Sequence, residues 1–387
     1  MLLIGLTASH IPAYQDEDTH PMLQRLRNMD WIQSNLPFIQ QIMKIYKIGL
    51  IGCGRIGTLL EEDKLRGKPC THAGGFNALS NAKLVAGCDI DSFRLKKFGT
   101  RWGVNHLYED YQEMLHQEKL DVVCIATWTN LHAPMVMNAA RAGVKAIFCE
   151  KPIALDPKEA RQMVSFCKRK NILLIINHER RWDNYYLKAH QMIKTGRIGE
   201  IRTIIGNALS WVPGKQPSRT CGGGPLFHDG THLTDLLLYF GGPVEWVSGH
   251  EIRPHGKKYI EETACGMIGF KNGALGFIEG GGARKYFNFE LDIQGSEGRL
   301  LIGNNGREFY LTKKSKRFTG FLELEKVPFP EPKRVISPFE GGAKETLKCL
   351  KTGKDGISSG DDGLKALELI FATYRSAQLQ GKRIKLQ

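Results

Sequence analysis

The chain has 387 residues, 42% of them hydrophobic and 24% charged, an ordinary globular composition with enough material for two domains with cores. Its formal net charge of +14 raises nucleic acid, an anionic surface or phosphorylated substrates as partners, but the basic runs "KRK" (Lys168 to Lys170) and "KKSKR" (Lys313 to Arg317) are short and lack interleaved aromatics, so they read as solvated surface and not as a nucleic-acid site. Nine cysteines, an odd count without any Cys-x-x-Cys pair, argue for reduced thiols rather than a disulfide framework, and no apolar run reaches the ~18 to 20 residues of a membrane span.

In chain order, the start "MLLIGLTASH" has a short apolar stretch but no basic n-region or cleavage site, so export is not expected and a cytoplasmic protein is. Residues 1–42 stand apart. Leu23, Leu26, Met29, Ile32 and Phe38 have loose helical spacing that Pro37 interrupts, which reads either as an appendage helix or as a segment outside the working protein. Met43 begins "MKIYKIGLIGCG", a natural opening for a domain whose first strand comes first.

From Tyr46 short apolar runs recur with helical segments between them: "YKIGLIG", "KLVAGCD", "DVVCIAT", "AIFCEKP" and "ILLIINH". Strands without polar alternation are buried on both faces, which predicts a doubly wound parallel sheet over residues 43–170. Its first turn is Gly52-Cys53-Gly54-Arg55-Ile56-Gly57. This spacing sets a tight turn at the first glycine, backbone approach to a pyrophosphate at the second and helix-on-strand packing at the third, with the turn expected to open a helix. The second strand ends at Asp89, whose carboxylate is placed to accept from both ribose hydroxyls and repel a 2′-phosphate, so NAD is expected over NADP; Arg94 softens that preference or is a surface charge. The interval from Gly57 to Asp89 exceeds the usual ~20 residues, and the excess is assigned to the polar loop "EEDKLRGKPCTHAGG".

Open α/β sheets place ligands at the C-terminal ends of their strands. That aims Glu150 and Lys151 of "CEKP" at the cofactor crevice, with Pro152 stiffening the exit. "ATWTNLH" leaves the preceding strand in the same crevice and brings Thr127, Asn130 and His132 toward the nicotinamide, although His132 also reads as a helix residue without a ligand. "NHERRW" puts Asn177, His178, Arg180 and Arg181 near the domain junction. Arginines there either clamp phosphate or carboxylate, or form a structural ion pair.

Taken together, "GLIGCGRIG", the strand-ending Asp89, "TWTNLHAPMVMNAARAGVKAIFCEKPIAL", "NHERRW" and "GGGPLFHDGTHLTDLL" resemble the glucose-fructose oxidoreductase, inositol dehydrogenase and MocA family of nicotinamide oxidoreductases. The resemblance runs from about Lys47 to the C-terminus, and the EKP and the glycine-rich segment ending in a histidine are its most specific parts. It implies an α/β second domain over 171–387 with a large, mostly antiparallel open sheet, which associates the chain into a homodimer or homotetramer. "ACGMIGF", "GALGFIEG", "FNFELDIQG", "GRLLIGN" and "EFYLTKK" read as its strands. "DGLKALELIFATYRSAQLQG" reads as a final helix packing back on the first domain.

Oxidising a secondary alcohol needs a proton acceptor and a positive charge at the developing oxyanion. Lys151 supplies the charge, and the resemblance makes His232 the acceptor. Relatives commonly carry an aspartate four residues before this histidine, whereas here His228 stands there and Asp229 follows it. His228 and His232 share a helical face, so His228 contacts the substrate or tunes His232, and which of the two accepts the proton stays open. Trp128, where relatives usually have proline, alters the loop under the nicotinamide. Two imidazoles at i, i+4 also invite a metal with His178 or Asp229 as a third ligand, but no spacing demands one and none is expected.

Three functions follow. The first is an NAD-dependent dehydrogenase of a sugar, sugar derivative or cyclitol, the polyhydroxylated substrate being implied by the resemblance. The second is a nucleotide-sugar or sugar-phosphate enzyme, favoured by the basic balance and the Arg180, Arg181 pair. The third is a cofactor-binding regulator without chemistry, against which Lys151 and His232 argue. Loops such as "NALSWVPGKQPSRTCGGG" set the substrate, and loop sequence does not encode a ligand's stereochemistry.

Overall fold

A computed structural model describes residues 44–211, 216 and 223–386. The N-terminal segment 1–42 lies outside the described residues, as does most of the loop "VPGKQPSRTCG" within 212–222. From Tyr46 onward the chain forms one compact unit built on two sheets.

The apolar runs become β1 (Tyr46–Ile51), β2 (Ala82–Cys88), β4 (Val122–Ile125), β5 (Ala146–Cys149) and β6 (Leu173–Ile176), with a short edge strand β3 (His106–Tyr108) that the sequence pattern did not reveal. They pair in parallel in the order β3-β2-β1-β4-β5-β6. This is the doubly wound order whose reversal between β1 and β4 opens a crevice at the strands' C-terminal ends. Both faces are covered by helices, which explains the lack of polar alternation: all four residues of β4 and of β5 are buried. The sixth strand lies past residue 170, so the parallel sheet draws on residues up to Ile176.

The helix expected after the glycine turn is interrupted. Thr58 N–H bonds the Gly54 carbonyl at 3.0 Å, a 3-10 turn follows at Leu59–Glu62, and the chain loops out before α1 (His72–Asn77) begins. His72 and Ala73 then donate to the carbonyls of Ile56 and Gly57 at 3.1 and 3.0 Å, so α1 stacks on the first turn as though the intervening residues had been spliced into one helix. That loop-out accounts for the long interval before Asp89, and residues 72–75 of the segment assigned to it are helical.

Helices α2 (Ser92–Trp102), α3 (Tyr111–Gln117), α4 (Thr129–Arg141) and α5 (Pro157–Arg169) complete the first layer set. Asp91, Asp110 and Asp156 cap α2, α3 and α5 through their carboxylates. After β6 come a 3-10 turn at Glu179–Trp182 and α6 (Asn184–Lys194). The second sheet then opens with β7 (Ile201–Leu209), and two helical pieces, α7 (Pro225–His228) and α8 (Gly230–Gly241), cross its buried face.

The remaining strands are β8 (Val244–Ile252), β9 (Thr263–Phe270), β10 (Leu275–Gly281), β11 (Asn288–Gly295), β12 (Gly298–Gly303), β13 (Gly306–Lys314), β14 (Leu322–Val327) and β15 (Ile384–Lys385). The nine-stranded order is β14-β13-β12-β11-β7-β10-β9-β8-β15, antiparallel except where β7 meets β10. Helix α9 (Pro338–Thr352) packs on α1, where the Phe339 carbonyl oxygen lies 2.5 Å from the position of a methyl on Gly75. The last helix, α10 (Gly360–Gln378), joins the sheets: Gly360 and Gly363 let it lie against Leu174 and Ile176 of β6, and Thr373 meets Gly249 of β8.

Candidate active site

The glycine turn is built as a cradle. Gly52 has φ +96, a conformation that favours glycine, and a methyl there would meet the Ala126 carbonyl oxygen at 2.6 Å. A methyl on Gly57 would overlap the Gly52 carbonyl oxygen, whereas Gly54 faces open space with only the Arg94 guanidinium at 4.0 Å. Asp89 closes the cradle from β2: its carboxylate accepts the N–H of Cys53 at 2.7 Å and that of Asp91 at 2.9 Å. Each oxygen retains accepting capacity for a ribose hydroxyl. Arg55 is exposed and Ile56 half-buried, so the turn presents backbone rather than side chains. These features fit the pyrophosphate and ribose of NAD. Gly57→Ala is expected to weaken NADH binding at least about tenfold, equal to about 1.4 kcal/mol, in a fluorescence titration; an unchanged affinity would place the cofactor elsewhere.

From β5 the chain delivers Glu150 and Lys151, and the two diverge. Glu150 is buried: His72 Nε2 lies at 2.8 Å, and Asn177 Nδ2 and the Lys151 N–H donate to it at 2.5 and 3.2 Å. Burial pushes its carboxyl up, but the His72 bond and charge, Lys151 and Asn177 outweigh it and hold the group below the usual range. Glu150 therefore braces the strand end against α1 instead of facing the crevice as expected. Lys151 stays partly exposed, its ammonium donating to the His228 carbonyl at 3.3 Å.

His132 also turns inward. It is fully buried, with its ring nitrogens 2.8 Å from the Pro152 carbonyl and 3.2 Å from the Thr127 carbonyl, so it ties the loops after β4 and β5 together. Burial lowers its pKa and keeps it neutral. Thr127 is half-buried, and Asn130 and Trp128 are exposed at the start of α4.

"NHERRW" and α8 meet beside Lys151. Arg181 Nε donates to Asp235 Oδ2 at 2.8 Å, its Nη2 lies 2.8 Å from Oδ1, and its Nη1 reaches Asp362 at 3.3 Å and the Ile357 carbonyl. His178 Nδ1 is 3.1 Å from the same Asp235. Arg181, His178 and Asp235 thus form a buried structural cluster, which resolves the Arg181 alternative toward an ion pair. Arg180 differs: it is half-buried over the Phe289 ring at 3.8 Å and forms no ion pair among the described residues.

His232 sits on the first turn of α8, buried, with Nε2 at 3.2 Å from Glu179 Oε2 and its ring at 6.0 Å from that of His178. Burial first, then the charges of Lys151, Arg180 and His178, hold its pKa well below the ordinary histidine value, so at neutral pH it is an uncharged imidazole able to accept a proton. Glu179 is pushed up by burial, against the pull of Arg180 and Lys151. His228 is half-buried on α7 with its ring edge-on to Phe227, and Asp229 lies at the break between α7 and α8. Below them the buried Glu261 accepts the N–H groups of Gly224 and Leu226 at 2.8 and 3.2 Å, fixing the entry to α7.

Residues 46–178 match the profile of the oxidoreductase family with an NAD-binding Rossmann fold, and residues 186–301 match that of the GFO/IDH/MocA C-terminal domain. The chain belongs to the GFO/IDH/MocA oxidoreductase family. D-apiose dehydrogenase from Paraburkholderia graminis is 29% identical over 358 residues, which cover 89% of this chain and 91% of that protein. Myo-inositol 2-dehydrogenase from Thermotoga maritima is 27% identical over 359 residues, 88% of this chain and 98% of that protein. The WlbA dehydrogenase from Bordetella pertussis, solved in complex with NADH and UDP-GlcNAcA, superposes with a TM-score of 0.71 at 23% identity over 89% of this chain and 98% of its own, a likeness of fold.

Within this GFO/IDH/MocA oxidoreductase Lys151 and Arg180 lie within electrostatic reach of His232, the His228 carbonyl receives the Lys151 ammonium, and Glu150, His132 and Arg181 turn into the surrounding frame. Glu179, His72, Asp235 and Glu261 were missed by the sequence reading. Asp235 had a signal, a lone acid inside the apolar helix "LTDLLLYF". Glu179 had none, since no local spacing joins it to His232.

Proposed function

We propose that the protein oxidises a secondary alcohol of a sugar, sugar derivative or cyclitol, with Lys151 as the positive group at the substrate oxygen and His232 as the proton acceptor. The observation that carries this is the convergence of a fixed ammonium from β5 and a buried neutral imidazole from α8: Lys151 bonds the backbone of His228, and its charge bears on His232. NAD, held by Gly52, Gly54, Gly57 and Asp89, supplies the hydride acceptor. Lys151 then stabilises the oxygen as its proton leaves, His232 takes that proton, and the half-buried His228 contacts the substrate. The printed names of the relatives, D-apiose and myo-inositol dehydrogenases, support a polyhydroxylated substrate.

Arg180 favours a second reading, an anionic sugar such as a sugar acid, sugar phosphate or nucleotide sugar, because it brings close to His232 a cation that forms no ion pair among the described residues. A screen of neutral sugars, cyclitols, sugar acids and nucleotide sugars by NADH absorbance tests both. Turnover with none of them would favour a cofactor-binding regulator.

The cytoplasm as location is supported by the cysteine usage; among the described residues no helix is long and apolar enough to cross a membrane. A homodimer or homotetramer through the second sheet is supported by its open face, where Ile205 on β7 and Leu275 and Phe277 on β10 are exposed side by side.

Cofactor choice follows from Asp89. NAD(H) is expected to bind tighter than NADP(H), and Asp89→Ala to narrow the gap in calorimetry. Equal affinities in the unmutated protein would show that Asp89 does not occupy the ribose corner, or that Arg94, which lies beside the turn, offsets the carboxylate.

A further inference from the structure

The charges around His232 do not balance unless one more group is given a role. Lys151 and Arg180 are cations whose fields reach the ring, and His178 adds to them. A proton accepted by His232 would place a further positive charge in a buried pocket, which is costly without an anion at contact distance. The nearby carboxylates are committed elsewhere. Asp235, one turn along α8, is held by Arg181 and His178. Glu150, after β5, is held by His72, Asn177 and the Lys151 N–H. Asp229 forms no ion pair with His232 among the described residues. Glu179 alone among them reaches the ring, its Oε2 3.2 Å from Nε2.

The carboxylate is also pre-positioned. Glu179 opens the 3-10 turn Glu179–Trp182, whose Arg181 is clamped to Asp235 and whose Trp182 Nε1 donates to Glu345 on α9. Its side chain is 27% exposed against 9% for His232, so it is the more solvent-accessible member of the pair.

We propose that Glu179 is the positioning residue that orients His232 and provides the counter-charge for the proton His232 takes from the substrate. The inference rests on the dehydrogenase reading above. In the step concerned the substrate O–H bond breaks, an N–H bond forms on His232, and the hydride from the same carbon goes to the nicotinamide. With Nε2–H already directed at Glu179, the new N–H bond forms at Nδ1, which has no partner among the described residues; the imidazolium is paired with Glu179 through Nε2, and the Nε2 proton leaves by way of that carboxylate to water. The pairing is made by two segments distant in sequence, a loop after β6 and the start of α8.

Two measurements test it. At neutral pH, nitrogen-15 NMR of histidine-labelled protein, with the His232 signals assigned by their loss in His232→Asn, is expected to show the ring as the single Nε2–H tautomer. Glu179→Leu is expected to lose that preference and Glu179→Asp to keep it. This readout needs no substrate, so it stands even if every alcohol screened is inert, an outcome that would sink the dehydrogenase reading instead. With a substrate in hand, Glu179→Gln is expected to lower kcat about 10²-fold with little change in KM or NADH affinity. The acid limb of its pH profile is expected to move to lower pH, because losing the anion makes the imidazolium harder to form. An Nδ1–H tautomer in the unmutated protein, a tautomer unchanged in Glu179→Leu, or a rate loss without movement of the acid limb would each overturn the proposal.

Discussion

Lys151→Ala is expected to leave the fold intact and slow turnover by about 10²-fold or more, the scale of removing an electrostatic donor from a developing oxyanion. The ammonium is fixed by the His228 carbonyl and is partly exposed, so its loss creates no buried unpaired charge. Cofactor affinity should change far less, since the glycine turn and Asp89 follow β1 and β2, whereas Lys151 follows β5 two strands away from β1 along the same edge of the sheet. His232→Ala should slow the reaction comparably and flatten the acid limb of the pH profile. The sign follows from the depressed pKa: His232 is active when neutral, so activity falls as pH drops through its titration. His228→Ala separates a two-histidine mechanism, which predicts a similar loss, from a substrate contact, which predicts a mild one. Near-normal turnover in both the Lys151 and His232 variants would defeat the mechanism.

Arg181→Ala is expected to be the most destabilising of the single changes around the site, by about 3–5 kcal/mol, because it strands the buried Asp235 carboxylate with only His178 beside it. A melting temperature lower by on the order of 10 °C would express that loss. The double change Arg181→Met with Asp235→Leu should recover much of it, since no charge is then left without a partner. The pH dependence has a definite direction. Burial pushes the Asp235 carboxyl up, but His178 and Arg181 pull it below its ordinary value on balance, so its contribution is present at neutral pH and is lost as pH falls through that lowered pKa. The gap between the unmutated protein and Arg181→Ala should therefore narrow on acidification. A variant as stable as the unmutated protein at neutral pH would mean the cluster contributes nothing to the fold.

The two arginines show where sequence reading stops. Arg180 and Arg181 are adjacent, alike and offered as one clamp, yet one lies over the Phe289 ring with no ion pair among the described residues and the other is locked to α8 and α10. Neighbours on a tight turn point in different directions, and which direction meets a carboxylate depends on helices that arrive far later in the chain. His132 and Glu150 teach the same lesson. His132 lies in the first turn of the helix after β4 and Glu150 follows β5, near where ligands bind, but His132 lies between two backbone carbonyls, to one of which its neutral ring can donate, and Glu150 found His72 and Asn177, partners that hold them inward.

What the amino-acid sequence by itself determined was whatever rests on local pattern. Continuous apolar runs require a sheet covered on both faces, Gly52, Gly54 and Gly57 require a turn without side chains, and Asp89 and Lys151 sit at the ends of apolar runs, while His232 was singled out by the family resemblance of its glycine-rich segment. Tertiary structure alone decided the rest: the splice that continues the first helix from Gly57 into His72, the division of labour between Arg180 and Arg181, and the meeting of Glu179 with His232. These are contacts between segments many residues apart, and their free energies depend on burial and charge balance at the point of contact, quantities that no short window of sequence contains.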